Sequence, residues 1–572
     1  VDAALARLQA QRHARSLHLD DDPPGTFPYY HPDDATVLPQ SLRLPSHTGW
    51  DGTGVTVAFL DSGYYPHPDL TVDPVWPAMP EWNRLDVAQL RAALCARPLR
   101  IAQYVDLTDA GEAVGLDLPS LWDGAGDSWH GQMTSVMALG NGLLSGGAYR
   151  GYAPGASGLL IKIGRGGGRI PEADILRGLN WLLEGDRWAA LGVRVLNVSV
   201  GGDFDEPWHL NPVCLAAEEL SRRGVLIAAA AGNRGLEQLL APAQAPTVLT
   251  VGGVDDHNRR WSPLHPHEIA RLELYPHNWG RVGNGHALIR KPEILALGRW
   301  LPSPILPPSP ILDEMVAIGR LRTRLAEGGD AAETLAAHWR TALHEDPHYL
   351  ARHPQQHPDD WRREMAQALR KRMNAHKWVH PFYQQVDGTS VAVAQVSAVA
   401  AQMFAANPAL SARQARRLLL QSAQPLAHLP HTLTGAGLLQ PTRAVAAALR
   451  VAGGALTGLP HSGSQPDHLP DAPRLDGAGP QAAAGQVYVG LWQPTAHAVS
   501  VVGDFNGWTP HRHPLVQTRD DWWHGSLSLP AGSWHYRFWV EEAAGATWLP
   551  DPENPARAES GYTEDHSVVQ IL

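Results

Sequence analysis

The chain has 572 residues, 44% hydrophobic and 18% charged, a globular balance that excludes a disordered polymer and leaves room for several domains. Its formal charge of 46 − 57 = −11, with His neutral, argues against a general nucleic-acid binder, whose surface would be basic. Two cysteines, Cys95 and Cys214, exclude a disulfide scaffold and leave either one bridge or two buried thiols.

Residues 1–18 read as a polar, arginine-containing helix without an apolar centre, so no secretory signal is visible there. Residues 19–45, rich in Asp, Pro and His, read as an irregular arm. From residue 54 the pattern changes to short apolar runs, at 54–63, 159–163, 193–200, 225–231 and 247–254. Runs of this length ending in turn signals are expected of strands buried on both faces. Helical patterns at 172–190 and 212–223 lie between them. The alternation predicts an α/β core, a mainly parallel sheet with helices on both faces.

A proline-rich stretch then leads into predicted helices at 313–327, 330–345 and 359–376, read as a helical insertion over 300–380. Helix resumes at 390–406 and 411–422, and 435–449 closes a domain spanning 46–450. The apolar runs 225–232 and 391–406 are Ala-rich and shorter than the ~20 strongly hydrophobic residues of a membrane span, so none is predicted. Residues 451–484, dense in Gly, Pro, Ala and Asp, read as a linker. Seven of the 21 tryptophans fall in 485–572, which marks a separate all-β module of short alternating strands.

Three local patterns occur in the order Asp, His, Ser. Asp61 ends the first apolar run, His130 opens an apolar helical run, and Ser390 opens a helix of small residues. In open α/β sheets, the carboxyl ends of strands and the adjoining helix starts converge in one crevice. A serine hydroxyl needs a base to take its proton, and the base needs an anion to hold its tautomer. Taken singly, Asp61 reads as a turn residue, Ser390 as a helix cap, and His130 as one of 29 histidines. Together they make the minimum set for acyl transfer, and the Ser390 N–H stands where an oxyanion would form.

These segments resemble the subtilase family. FLDSG around Asp61, HGQMTSVMALG from His130 and GTSVAVAQVSA around Ser390 are similar to its three catalytic motifs. NVSVGG (197–202) resembles its cleft-lining strand, AAAAGN (228–233) the segment that ends in its oxyanion-hole Asn, and KPEILALG (291–298) its Lys-Pro segment. The resemblance implies a serine endopeptidase acting on polypeptides, with Asn233 and the Ser390 N–H binding the oxyanion. It also implies a specificity pocket flanked by Ser199, Val200, Gly201, Ala230, Ala231 and Gly232, whose small residues suggest an open pocket for apolar or bulky side chains. Three positions depart from the family, Gln132, Met133 and Ala394, where Thr, His and Pro are common; all three bear on packing rather than reaction. No family-type inhibitory propeptide fits in 1–45, which with the missing signal leans toward a cytoplasmic rather than a secreted enzyme, although the chain begins at Val1. The chemistry requires no cofactor, and no motif indicates the structural calcium that family members often bind.

Two other candidates read as ordinary structure. The Gly-rich 164–168 stretch lacks the Gly-Lys-Ser/Thr ending of a phosphate loop. His344, His348, His353 and His357 match no standard zinc spacing. In the C-terminal module, GDFNGW, the L-P-x-G turn, YRFWV and W-x-x-D-P occur in order, and resemble carbohydrate-binding module family 48, the immunoglobulin-like glycogen-binding modules. That resemblance implies an α-glucan partner such as glycogen or starch, with Trp508 and Trp548 stacking on sugar faces and Arg537 donating to hydroxyls. Trp534 and Trp539 are assigned to the core, and His566 stands where the family often has Asn. The competing readings are a non-catalytic glucan-binding scaffold on a subtilase fold and carbohydrate hydrolysis, which lacks a paired-carboxylate site.

Overall fold

The computed structural model describes residues 37–72 except 45, 47 and 66, residue 89, and residues 99–108, 113–114, 128–165, 170–258, 272–283, 288–306, 310–327, 332–343, 358–452, 486–493, 496–517, 522–529, 532–542, 545–551, 557–558 and 566–571.

Strand β1 (Thr56–Asp61) shows why its apolar run is continuous. Val57 and Phe59 enter one core cluster, and Ala58 and Leu60 enter another on the opposite face of the sheet. Side chains alternate along a strand, so a strand covered on both faces must be apolar at every position. The remaining parallel strands are β2 (Ile101–Asp106), β3 (Ser157–Lys162), β4 (Val193–Val198), β5 (Leu226–Ala230), β6 (Leu249–Asp255) and β7 (Ile294–Leu297). Their order is β7-β6-β5-β4-β1-β3-β2. The chain leaves β1 toward β3 on one side and later returns to β4 on the other. The strand order therefore reverses at β1, and it is outside the carboxyl end of such a strand that open α/β sheets place their sites.

One face carries α1 (Ser128–Leu139) and α7 (Thr389–Ala406), with α8 (Ala412–Ser422) and α9 (Pro441–Ala452) beside them. The other carries α2 (Glu172–Leu183) and α3 (Pro212–Arg223). Helix α7 meets the length and hydropathy of a membrane span, but 94% of it is buried inside the protein. It is the central core helix. Cys214 on α3 is a free, buried thiol; Cys95 lies outside the described residues.

The structure departs from three expectations drawn from the sequence. The helix expected over 172–190 breaks after Leu183, because Gly185 and Asp186 turn left-handed, and resumes only for Arg187–Ala190. The helix expected from 435 begins at Pro441. Ahead of it, Gly435 and Gly437 have positive φ, and Leu438 bridges to Leu295 and Gln424. The end of the expected arm is not peripheral: Arg43 is fully buried and paired with Asp256 at 2.6 Å. It also donates to the carbonyls of Arg299, at 2.6 Å, and Trp300. A buried guanidinium persists only with its donors satisfied in this way.

The insertion forms helices α4 (Pro310–Glu327), α5 (Ala332–Leu343) and α6 (Pro358–Ala375), close to the expected positions. They enclose a separate core with Met315, Ile318, Leu335, Trp339, Leu369 and Trp378. The proline-rich entry is partly strand, because β8 (Leu301–Pro304) pairs antiparallel with β9 (Tyr383–Val386). As an edge strand, β8 tolerates Pro302 and Pro304, which cannot donate to a ladder. The insertion thus closes at its base four residues before Ser390.

The C-terminal module is a β-sandwich of antiparallel sheets. One pairs β10 (Gln486–Trp492) with β12 (Trp522–Ser528). The other pairs β11 (Ala496–Gly503) with β13 (Gly532–Glu542), which β14 (Gly545–Leu549) and β15 (His566–Ile571) flank. Val489, Leu491, Val501, Leu527, Tyr536, Phe538 and Val540 fill the space between them.

Candidate active site

Asp61 is the last residue of β1 and is fully buried. Its Oδ1 accepts from the Ser62 N–H at 2.6 Å and from His130 Nδ1 at 2.7 Å. His130 lies in the first turn of α1, and Gly131 permits the approach: any Cβ there would collide with the Gly63 carbonyl and crowd Asp61. A carboxylate only accepts, so Nδ1 carries the proton and Nε2 presents its lone pair to Ser390 Oγ, 3.1 Å away. Burial pushes the His130 pKa down, but the adjacent Asp61 charge and its hydrogen bond carry it above the ordinary imidazole value. Gln132, the departure from Thr, is fully buried and ties α1 to the loop after β1 by accepting from the Tyr65 N–H at 2.7 Å.

Ser390 sits in the first turn of α7, where backbone N–H groups have no intrahelical acceptor. Asn233 follows β5 and is solvent-exposed. Its Oδ1 accepts from both the Thr389 N–H and the Thr389 hydroxyl, each at 2.8 Å. With the oxygen so engaged, Nδ2 is the free end of the amide. A Cβ placed on Gly388 would lie 3.6 Å from Asn233 Nδ2 and 3.7 Å from the Ser390 nitrogen, so both donors border one small space. Thr389 is therefore the residue that orients Asn233, a role not assigned from the sequence although it stands inside the Gly-Thr-Ser motif.

The other residues expected to flank a specificity pocket lie at the ends of β4 and β5. Ser199 receives a 3.3 Å contact from Ser390 Oγ on its carbonyl. Val200 packs toward the core, and Gly201 is exposed. Ala230 ends the ladder of β5. Ala231 still donates to Val251 at 3.0 Å and is buried against Leu239 and Val282, while Gly232 donates to Thr389 Oγ1 at 3.2 Å. Leu240 went unassigned. A Cβ on Gly201 would meet Leu240 Cβ at 3.8 Å, so an isobutyl group faces this segment. No local signal marks it, because the contact spans 39 positions in the chain.

In the module, Trp508 and Trp548 come together with ring centroids 6.3 Å apart. Trp534 packs against the core, as expected. Trp539 does not: it stands opposite Trp548 in the ladder, with the two rings 4.9 Å apart and edge to face. On β13 the even positions, Tyr536, Phe538 and Val540, point inward, so Trp539 points outward. Arg537 shares that outward parity and is 8% exposed. The His566 side chain lies outside the described residues.

Among the described residues, no group of three or more His, Cys, Asp or Glu is arranged to hold a metal ion. The His344–His357 segment and positions 166–168 of the glycine stretch lie outside them; Arg165 is paired with Asp174 at 2.9 Å.

Residues 52–440 match the model of the Subtilase family, and residues 477–553 match Carbohydrate-binding module 48 (Isoamylase N-terminal domain). Serine protease AprX of Bacillus subtilis (strain 168) is 28% identical over 213 residues, which cover 36% of this chain and 40% of that protein. Subtilisin BL of Lederbergia lenta is 30% identical over 214 residues, covering 37% and 61%. The matched stretch thus spans less than two thirds of either relative. Sphericase, a solved structure, is 20% identical with a TM-score of 0.37, covering 66% of this chain and 86% of its own.

Proposed function

This chain belongs to the subtilase family, and on that premise we propose that it is a serine endopeptidase in which Asp61, His130 and Ser390 form the catalytic triad. The observation that carries the reading is one continuous relay, Asp61 to His130 at 2.7 Å and His130 to Ser390 at 3.1 Å, with the Asn233 Nδ2 and Ser390 nitrogen atoms bordering one small space beside it. His130 Nε2 removes the Ser390 proton as Oγ attacks a peptide carbonyl carbon. Asn233 Nδ2 and the Ser390 N–H stabilise the resulting oxyanion. His130 then protonates the leaving amine, and water hydrolyses the acyl-enzyme by the same steps. Every group in this scheme is supplied by the protein, so no cofactor is required. A non-catalytic scaffold would have no use for an amide that Thr389 holds near the Ser390 nitrogen. Cleavage of denatured casein, with products mapped by mass spectrometry, tests the proposal; an absence of internal cuts overturns it.

The same reading places the substrate strand along Ser199–Gly201, with its P1 side chain between Gly201 and Ala230–Gly232. Leu240 then forms one wall and limits the depth of the pocket. Leu240→Gly is expected to raise kcat/KM about tenfold for peptides with Phe or Tyr at P1, relative to Ala. Unchanged P1 preference in that variant removes Leu240 from the pocket.

The module supports binding of an α-glucan through Trp508 and Trp548, whose indole faces suit the apolar faces of glucose rings. Trp508→Ala should weaken glycogen binding about tenfold in affinity electrophoresis, the loss of one stacking face. Retained affinity would assign the tryptophan pair to another role, such as docking a glucan-associated protein.

A further inference from the structure

The turn that carries Asn233 is held from outside by a side chain that takes no part in the proposed chemistry. Gly232, with φ of 97°, begins the turn. Asn278 lies against it, 4% exposed. Its backbone N–H donates to the Gly232 carbonyl at 3.0 Å. Its side-chain Oδ1 accepts from the Arg234 N–H at 2.9 Å and the Leu236 N–H at 3.4 Å. Two of these bonds fall on the residues immediately before and after Asn233, and the third on Leu236 further along the turn. The fit is close: a Cβ on Gly232 would lie 2.7 Å from Asn278 Nδ2, so Asn278 occupies the space that the glycine leaves.

Asn278 is itself anchored. Trp279 next to it donates to the Leu236 carbonyl at 2.9 Å. His277 on the other side is buried, with Nε2 2.9 Å from the Leu433 carbonyl and Nδ1 3.2 Å from Gly253. Thr389 holds the Asn233 side chain, but the strand that leads to Asn233 ends at Ala230, and its last bond to the neighbouring strand is from Ala231 to Val251. The backbone position of an exposed amide in a turn is therefore set by the bonds on its two flanks. An oxyanion donor acts only when it stands within hydrogen-bond reach of the developing charge, and small misplacements are costly.

We infer that Asn278 is a positioning residue for the oxyanion hole, which acts through Asn233 by clamping the turn from Gly232 to Leu236. The inference rests on the peptidase reading. It predicts a loss confined to the transition state, because no ground-state contact to substrate is removed.

The test is a cycle of four proteins: wild type, Asn278→Leu, Asn233→Ala and the double variant. Cleavage of a peptide p-nitroanilide is measured per active site, with sites counted by stoichiometric phosphonylation of Ser390 by a fluorophosphonate, which releases fluoride, so misfolded protein does not enter the rate. Asn278→Leu should lower kcat about tenfold to a hundredfold and leave KM within about twofold. In the Asn233→Ala background the same change should cost less than about threefold. Asn278→Ala, a smaller perturbation of the turn, should repeat the pattern. Equal losses in both backgrounds, or a loss carried by KM, overturn the inference and make Asn278 an ordinary structural residue. A wild type that cleaves nothing defeats the peptidase reading, and this inference with it.

Discussion

Ser390→Ala is expected to lower turnover of a peptide substrate by about a millionfold, a magnitude known for the same change in a subtilisin triad. The size follows from the chemistry. Without Oγ there is no nucleophile, and His130 has no proton to move, so the relay from Asp61 has nothing to activate. Residual catalysis of about a thousandfold over water should persist from the oxyanion donors and substrate binding, which the substitution leaves in place. The fold should be little affected. Ser390 is 7% exposed, and removal of Oγ breaks one 3.3 Å contact with the Ser199 carbonyl and the bond to His130. Release of labelled peptides from casein, measured beside thermal unfolding, separates the two effects. Equal cleavage by wild type and variant at equal stability would remove Ser390 from the mechanism.

Asp61→Asn should reduce kcat by about ten thousandfold with almost no change of shape. The carboxylate holds the proton of His130 on Nδ1. A carboxamide can present its NH2 instead, which favours a proton on Nε2 and leaves no lone pair for the Ser390 hydroxyl. The substitution also carries a pH signature. In the native site, burial lowers the His130 pKa, but the charge and hydrogen bond of Asp61 raise it above the ordinary imidazole value. Without the charge, the effect of burial remains unopposed and the pKa falls. Activity requires neutral His130, so the acid limb of kcat/KM follows that pKa. It should lie above the ordinary imidazole value in wild type and move to lower pH in Asp61→Asn. An unmoved limb would mean that another group titrates there.

The three motif residues were legible because each sits at a boundary with its own local physics. Asp61 ends a strand that must be apolar on both faces, and His130 and Ser390 open helices whose first N–H groups are unpaired. Helix α3 was legible for a similar reason. Asn211 caps it, Pro212 opens it, and Gly224 at φ 116° ends it, all within fourteen consecutive positions. Where left-handed residues interrupt an apolar pattern, periodicity misleads. The helix expected over 172–190 failed at Gly185 and Asp186, and the one expected from 435 failed at Gly435 and Gly437. Trp539 was misplaced although a signal existed. Five positions separate it from Trp534, and an odd spacing along one strand puts two side chains on opposite faces.

By itself the sequence determined the class of the core, the order of its elements, the three residues of the proposed triad, and the presence of a second, tryptophan-rich module. These depend on periodicity and on local turn and cap chemistry, which neighbouring residues encode. Only the tertiary structure decided how the parts are held. Thr389 turns the Asn233 amide across 156 positions, Leu240 faces Gly201, Asn278 clamps the turn after β5, and Arg43 is drawn from an expected arm into a buried pair with Asp256. Each of these contacts joins segments distant along the chain, and its geometry is set by the packing of whole strands and helices against one another. Sheet order and packing bring such residues within bonding distance, and no local spacing records that.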